Sequence, residues 1–344
     1  MNKINFSQIY AKLTRGLSPK TKDIFDRRFG VKTGKIETLD SIGKSLGITR
    51  ERVRQIEEVG FNFVRKNHKD VLDSVFKEFE AYFQEKGGFR KEDAVLADLG
   101  GSKQKSHVLF FLMLGQQFER VCEKKDYYYF WSNLKEPEKS VSTTLNALAS
   151  DLQSHGSPLL KQELFTKFAS QYNLSEGALD SYLEVSKRIQ ANKEGNLGLV
   201  EWPEIRPRSV KDKAFLVFKK HQKPLHFREI TLLIDQLDYN QPNNGKKTHP
   251  QTVHNELIKD ARFVLVGRGM YALGEWGYKP GTIQDVITDV LKEKPHLVSR
   301  DEIVKEVLNQ RMVEKNTILI KLNNKKYFQK DVEGKYFAVE TQTA

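Results

Sequence analysis

The chain has 344 residues, and its 57 Lys and Arg exceed its 45 Asp and Glu to give a formal charge of +12, which predicts several domains and a polyanionic partner. Its single cysteine, Cys122, excludes an internal disulfide and a multi-cysteine zinc site and is typical of a reducing compartment. Because no apolar run reaches the about 18 residues of a membrane helix and no secretory leader begins the chain, we expect a cytoplasmic protein without a membrane partner.

The first predicted elements lie in residues 38–58, TLDSIGKSLGITRERVRQIEE. Apolar residues that recur every two to five positions predict two short helices meeting at an angle; they are Leu39, Ile42, Leu46, Ile48, Val53 and Ile56. Gly47 can take the positive φ of a sharp turn between these helices, and Thr49 can cap the second one. The outer face of the second helix carries Arg50, Glu51, Arg54 and Gln55. The pattern predicts a helix-turn-helix, the alternative being a charged, solvated face on an ordinary helical hairpin.

Together with LSPKTKDIFDRRFGV at residues 17–31, this stretch resembles region 4 of bacterial RNA polymerase sigma factors, over about residues 15–67. Region 4 recognises the −35 promoter element, so the resemblance implies that the four outer side chains approach bases or phosphates in the major groove. Their chemistry agrees, because Arg can bind guanine, Gln can bind adenine and Glu can accept from cytosine. The predicted recognition helix starts at Thr49. Candidates for contacts to the DNA backbone are Arg27, Arg28, Lys44 and Arg52.

The resemblance also implies a polymerase contact, because region 4 docks on the β flap through an apolar side. The matching residues are Leu17, Ile24, Phe25 and Phe29, and the alternative is that they form an ordinary core. A complete sigma factor also carries a region 2, which binds core polymerase and traps bases of the −10 element. Only about 15 residues precede the region-4-like segment, and the downstream segments are not region 2. We therefore expect that the protein does not melt a promoter alone.

The rest of the chain contains a repeated pattern. Three similar passages end at tryptophan: FERVCEKKDYYYFW at Trp131, IQANKEGNLGLVEW at Trp202 and RFVLVGRGMYALGEW at Trp276. KYFQKDVEGKYFAVE, at 326–340, has the same form without tryptophan. Each passage has β-branched or aromatic residues around a short polar turn, which predicts a β-hairpin. Apolar residues at i, i+3 and i+4 upstream of each hairpin indicate three helices, and three helices followed by a hairpin form a winged helix.

We therefore predict a mainly α fold, with an N-terminal helix-turn-helix followed by a tandem array of winged-helix domains with small β wings. The predicted boundaries are 1–67, 68–135, 136–205, 206–278 and 279–344. In the fourth segment, PLHFREITLLI (224–234) and HPQTVHNELIKDARFVLVGRGMYALGEWG (249–277) resemble the HARE helix-turn-helix domain of the polymerase delta subunit. This resemblance implies the fold and, more weakly, a nucleic-acid or protein contact. Arg268, between two glycines at the wing tip, is the candidate phosphate contact.

Four other features have two interpretations each. Tyr127, Tyr128, Tyr129 and Phe130 are aromatic residues that could stack on bases, but we expect alternate rings to pack under a wing. The histidines that could be imagined as metal ligands are His226, His249 and His254; we expect no metal site, since the first two fall at predicted helix starts. We interpret Cys122 as structural. The run Asn323–Lys326 is either a solvated turn or a phosphate contact.

Signatures of catalysis are missing from the sequence, which has no P-loop, GxSxG, HExxH or dinucleotide fingerprint. We expect no enzyme activity and no cofactor. The sequence favours a DNA-binding transcription factor that recognises a −35-type element, with double-stranded DNA and RNA polymerase as partners. One alternative is a delta-like accessory factor that acts by protein contacts, and another is an architectural binder without sequence preference.

Overall fold

The computed structural model describes residues 4–237, 247–293 and 298–339. The chain divides into two compact units, Met1–Glu201 and Trp202–Ala344. The described residues are mostly helical, and their strands form small antiparallel sheets, so the predicted mainly α fold with small β wings is confirmed. No helix in these ranges is long and apolar enough to cross a membrane. The five finer boundaries stay a prediction.

The first compact unit begins with four helices that carry polar N-caps. They are α1 (Phe6–Leu13), α2 (Pro19–Arg28), α3 (Leu39–Leu46) and α4 (Arg50–Asn67). The side chains that precede them, of Asn5, Ser18, Thr38 and Thr49, each accept a hydrogen bond from a first-turn N–H. Such caps satisfy donors that the helix itself leaves unpaired. The predicted helices of the helix-turn-helix are α3 and α4, and the cap at Thr49 is confirmed.

The next segment has three helices and a three-stranded sheet. Its elements are α5 (Lys69–Glu85), β1 (Phe89–Lys91), α6 (Glu92–Gly100), α7 (Lys105–Leu114), β2 (Glu119–Val121) and β3 (Phe130–Ser132). The central strand β3 pairs antiparallel with both β1 and β2. The sequence predicted the three helices and the hairpin of β2 and β3 but missed β1, because three residues are too short to show a period.

A second segment of the same kind completes this compact unit. It consists of α8 (Pro137–His155), α9 (Lys161–Lys167), a 3-10 turn (Ala169–Tyr172), α10 (Glu176–Val185), β4 (Ile189–Ala191) and β5 (Leu197–Leu199). The preceding hairpin is bonded to it through Tyr128 N–H to Val185 O and Lys187 N–H to Asp126 O, both at 2.9 Å. These bonds join the two segments through their backbones.

The second compact unit repeats the arrangement twice. Its first half contains α11 (Val210–His221), β6 (Leu225–His226), α12 (Phe227–Gln236), α13 (Pro250–Lys259), β7 (Phe263–Gly267) and β8 (Met270–Leu273). Its second half contains α14 (Ile283–Glu293), α15 (Arg300–Gln310), α16 (Lys315–Leu322), β9 (Phe328–Lys330) and β10 (Tyr336–Ala338). As in the first unit, a short strand before the second helix, β6, pairs with the hairpin strand β8.

A buried arginine joins these two halves. Arg311 is 3% exposed and donates to the carbonyls of Lys279 at 2.8 Å and Gly281 at 2.9 Å. The next N–H, of Met312, donates to Val266 O at 2.6 Å on β7. A buried guanidinium is tolerated when its donors are satisfied, so the chain after α15 is fixed against the hairpin of β7 and β8.

The structure corrects two expectations about single residues and confirms a third. The aromatic run does not alternate, because Tyr127 and Phe130 are buried and Tyr129 is 38% exposed. Cys122 is exposed and takes no part in a core, so its structural interpretation was wrong. Helix-start positions were correct for His226 and His249, whose Nδ1 atoms accept the N–H groups of Arg228 and Gln251.

Candidate nucleic-acid interface

The turn between α3 and α4 depends on two glycines. Gly47 ends α3 with φ of +66°, the left-handed region that favours glycine. Gly43 lies where a Cβ would meet Ile48 O at 2.7 Å, so its lack of a side chain lets the turn close on α3. Beneath the turn, Ile24, Ile42 and Val53 are fully buried. The apolar residues predicted to line the two helices therefore form the core that sets their angle.

We expect the substitution Gly43→Ala to destabilise this turn. The added methyl must displace the backbone at Ile48, and overpacking of this kind costs about 1 to 3 kcal/mol. Urea unfolding measures the loss of free energy, and DNA binding should weaken with it because α4 moves. Ser41→Ala, on the exposed side of α3, is the matched control and should leave both quantities nearly unchanged. Equal stability of the two variants would contradict the close packing at Gly43.

The predicted recognition side chains lie together on the outer side of the first turns of α4. Arg54 donates to Glu51 through Nε at 3.1 Å and Nη2 at 2.8 Å, and both side chains are more than half exposed. Because of this contact, the pKa of the Glu51 carboxyl is held below its usual range. Arg52 donates to Gln55 Oε1 at 3.1 Å. Arg50 has no carboxylate within ion-pair distance among the described residues, so its charge faces solvent.

The predicted backbone contacts are already engaged in pairs within the protein. Arg27 donates to Glu37 through two nitrogens, at 2.9 and 2.7 Å, and lowers the pKa of that carboxyl. Arg28 lies 3.5 Å from the buried carboxylate of Glu57, and Lys44 lies 2.7 Å from Asp40. Arg27 and Arg28 thus fix the loop between α2 and α3, a structural role that the sequence analysis missed. Their contacts to DNA, and that of Lys44, stay a prediction.

The apolar side of this module is covered by the protein itself. Ile24, Phe25 and Phe29 are at most 1% exposed, and the Phe110 ring of α7 lies 5.4 Å from the rings of both phenylalanines. Leu17 is partly buried against the same cluster. These four residues therefore form a core that continues into the next segment, which is the alternative to a free docking face for polymerase.

The last helix before each hairpin differs in how much of it remains accessible. In α7, seven of ten residues are buried, and in α10, five of ten are buried. In contrast, α13 buries only Val253 and Leu257, and α16 buries only Ile318 and Leu322. The long helix α4 buries five of its 18 residues. Helices α4, α13 and α16 thus present broad outer faces, whereas α7 and α10 are used for internal packing.

The wing tip of the fourth segment presents Arg268 to solvent. Gly269 has φ of +70°, and a Cβ there would meet the His226 ring at 2.6 Å. Two glycines thus allow the tight turn that the sequence predicted, with the base of the wing held through Val266 and Met312. The arrangement places one exposed cation at the tip of a rigid hairpin.

Two segments of the chain match known families. Residues 15–66 match the family model described as sigma-70, region 4, and residues 208–276 match the HARE-HTH model, described as an ASXL and restriction endonuclease HTH domain. The first match contains α2, α3 and α4, and the second contains α11, α12, α13 and the hairpin of β7 and β8. Both resemblances seen in the sequence are thereby confirmed, within two residues at each end.

Sigma factors also appear among curated proteins similar to this chain. It is 37% identical to RNA polymerase sigma factor SigA of Nostoc sp. over 68 residues, which are 20% of this chain and 17% of that protein. It is 37% identical to SigA of Clostridium acetobutylicum over 67 residues, 18% of each chain. It is 41% identical to sigma factor sigB of Arabidopsis thaliana over 61 residues, 17% of this chain and 11% of that protein. The chain thus spans less than a fifth of each relative, and the two domain matches indicate a DNA-binding role related to transcription.

Proposed function

We propose that this protein is a cytoplasmic transcription factor that recognises a −35-type promoter element through the outer face of α4. The observation that carries the proposal is the exposure of Arg50, Arg54 and Gln55 on the first turns of a helix whose start is capped and whose inner side is buried. We further propose that the protein acts by binding and not by catalysis.

In this mechanism the first two turns of α4 enter the major groove, which is wide enough to admit an α-helix. Arg54 exchanges Glu51 for the O6 and N7 atoms of a guanine, and Gln55 exchanges Arg52 for the edge of an adenine. Both intrahelical contacts are exposed to water, so breaking them costs little. Glu51, once released, can accept from a cytosine N4 amino group, and Arg50 contributes a phosphate or base contact.

RNA polymerase is the second proposed partner. Because α7 covers Phe25 and Phe29, we propose that this contact uses surfaces other than the apolar side of the sigma-like module. The HARE-type match favours a second candidate function, that of a delta-like accessory factor which binds polymerase and has weak affinity for DNA. An architectural binder would contact duplex without sequence preference.

Hydroxyl-radical footprinting of the full chain tests the proposal. On a duplex that carries a −35-type element, we expect protection confined to about one helical turn, roughly 10 base pairs, around the element. A duplex with the element scrambled is the control and should show no localised protection. Even, weak protection along both duplexes would contradict promoter recognition and favour the architectural alternative. Absence of protection at concentrations where polymerase is bound would favour the accessory factor.

A separate expectation concerns the wing. Replacing Arg268 by alanine should weaken binding equally on every sequence and reduce the slope of log K against log salt by about 0.9, the contribution of one phosphate contact. The matched control is Arg300→Ala, which removes an exposed arginine beside Asp301 in the same compact unit. Salt titrations of duplex affinity provide the measurement. If Arg268→Ala left the slope unchanged, the wing would contact a protein partner or solvent instead of DNA.

A further inference from the structure

The end of the second compact unit carries a concentration of positive charge. Between residues 314 and 330 the sequence has five lysines and one glutamate. In contrast, residues 283–293 and 298–310, which contain α14 and α15, have six carboxylates and three cations. The charge of this last segment is therefore divided between two acidic helices and a basic helix and hairpin. Four exposed lysines form what we name the C-terminal basic cluster: Lys321, Lys325, Lys326 and Lys330.

The cluster is not neutralised by carboxylates. None of its lysines has a carboxylate oxygen within 4.0 Å among the described residues, whereas Lys315 lies 3.9 Å from Asp301 and Lys335 lies 2.9 Å from Glu333. Two of the ammonium groups lie near aromatic rings, with Lys326 Nζ at 5.6 Å from the Tyr327 centroid and Lys330 Nζ at 4.9 Å from that of Tyr336. Cation–π contacts attract an ammonium group without cancelling its charge, so the cluster keeps a positive field for an anionic ligand.

A pocket opens within this cluster. It has a volume of about 430 Å³ and is lined by Leu322, Asn323, Lys325, Phe328, Gln329, Lys330 and Tyr336. Phe328 and Tyr336 are at most 3% exposed and belong to the core. Asn323 and Gln329, both exposed, add amide donors beside the two lysines. Cationic and amide donors around a shallow depression suit the oxygens of a phosphate diester.

The same features favour a duplex over a single strand. Single-stranded nucleic acid binds most proteins by stacking its bases on exposed rings, but both rings that line the pocket are buried. Next to the pocket, α16 presents an accessible outer face, since it buries only Ile318 and Leu322. A helix with an open face beside a basic hairpin can lie along the backbone of a duplex.

We infer that the C-terminal basic cluster binds the phosphate backbone of duplex DNA without regard to sequence. The cluster lies outside both matched segments, 15–66 and 208–276, and adds a second DNA contact to the one at α4. This inference rests on the proposed binding of the protein to DNA, but it does not depend on recognition of a −35-type element. The division of labour is that α4 selects the sequence while the cluster supplies salt-sensitive affinity.

The test compares two triple variants of the full chain. One replaces Lys321, Lys325 and Lys330 of the cluster by glutamine. The control replaces Lys211, Lys219 and Lys279 by glutamine; each of these lysines belongs to the same compact unit and pairs with a carboxylate. Both variants lose the same charge, so only the position of the lost charge differs. Thermal unfolding confirms that each is folded, and fluorescence anisotropy on −35-type and scrambled duplexes measures affinity as salt is varied.

We expect the cluster variant to lose affinity on both duplexes by the same factor and to keep the ratio between them. Two to three lost phosphate contacts reduce the salt slope by about 2 to 3, so that between 50 and 200 mM salt the wild type should lose about 10- to 40-fold more affinity than the variant. The control variant should behave as the wild type. Equal losses in the two variants would overturn the inference, because the effect would then be one of overall charge.

The inference and the proposed function fail in different ways. If the wild type did not prefer the −35-type duplex but the cluster variant still reduced the salt slope, promoter recognition would be wrong and the cluster would remain a DNA contact. If preference were present and the cluster variant matched the wild type, the inference would be overturned and the function retained. Single-stranded DNA serves as a third ligand. Tighter binding of the single strand, lost in the cluster variant, would overturn the assignment to duplex.

Discussion

Replacing Phe110 by alanine should lower the free energy of unfolding of the Met1–Glu201 unit by about 3 to 5 kcal/mol, as for other buried aromatic residues. Phe110 is fully buried in α7. Its ring lies between 4.9 and 5.9 Å from five other rings, those of Tyr10, Phe25, Phe29, Phe61 and Phe111. Because four of these come from the first four helices, one side chain ties the helix-turn-helix to the segment that follows.

Urea unfolding followed by circular dichroism measures this loss, and hydrogen exchange shows where the structure opens. The amides of α4 should exchange faster in the Phe110→Ala variant, although Phe110 lies far from the first turn of that helix along the chain. Tyr129→Ala is the matched control, since this ring is 38% exposed and its removal should cost about 1 kcal/mol or less. Similar losses in both variants would contradict a shared core between α7 and the sigma-like module.

Replacing Arg54 by alanine should cost about 1 to 3 kcal/mol of binding free energy on a preferred sequence and relax specificity at one base pair. The guanidinium is exposed and held by Glu51, so it is available to bind a base without rearrangement of the backbone. Duplexes in which each base pair of the element is changed in turn provide the measurement.

The control for this variant is Arg15→Ala, which removes an exposed arginine outside α4 and should leave specificity intact. If Arg54→Ala weakened binding equally on every duplex, Arg54 would be a phosphate contact and not a specificity determinant. The assignment of roles along α4 would then shift toward Arg50 and Gln55.

Local sequence signals predicted the helices well because each depends on a few neighbouring residues. Thr49 caps α4 and Gly47 ends α3 through short-range chemistry that the sequence displays directly. The repeat of three helices and a hairpin was likewise visible in apolar spacing. Strands β1 and β6 were missed, since elements of three and two residues are held by pairing with a distant strand and not by their own pattern.

The burial of α7 had a signal that went unused. Its sequence, KSHVLFFLML, is apolar on all sides, which is typical of a helix enclosed by the rest of a protein. An open recognition helix would have one polar face, as α4 does. The pairing of Arg27 with Glu37 could not be predicted in this way, because it depends on how the loop between α2 and α3 returns across the module.

The division between accessible and enclosed helices limits where the protein can meet DNA. Arg50 and its neighbours on α4 are exposed, and α13 and α16 keep open faces. The helices α7 and α10, which occupy the matching position in the two intervening segments, are committed to packing. These two segments therefore act as structural spacers that support α4, in place of further contacts to DNA.

Fluorescence anisotropy at physiological salt, with a −35-type duplex and a scrambled one, tests recognition by α4 most directly. The wild type and a variant with Arg50, Arg54 and Gln55 replaced by alanine are compared on both. The account predicts that the wild type prefers the −35-type duplex and that the variant loses this preference while retaining salt-sensitive affinity. Equal affinity of the wild type for both duplexes, unaffected by the three substitutions, would contradict it.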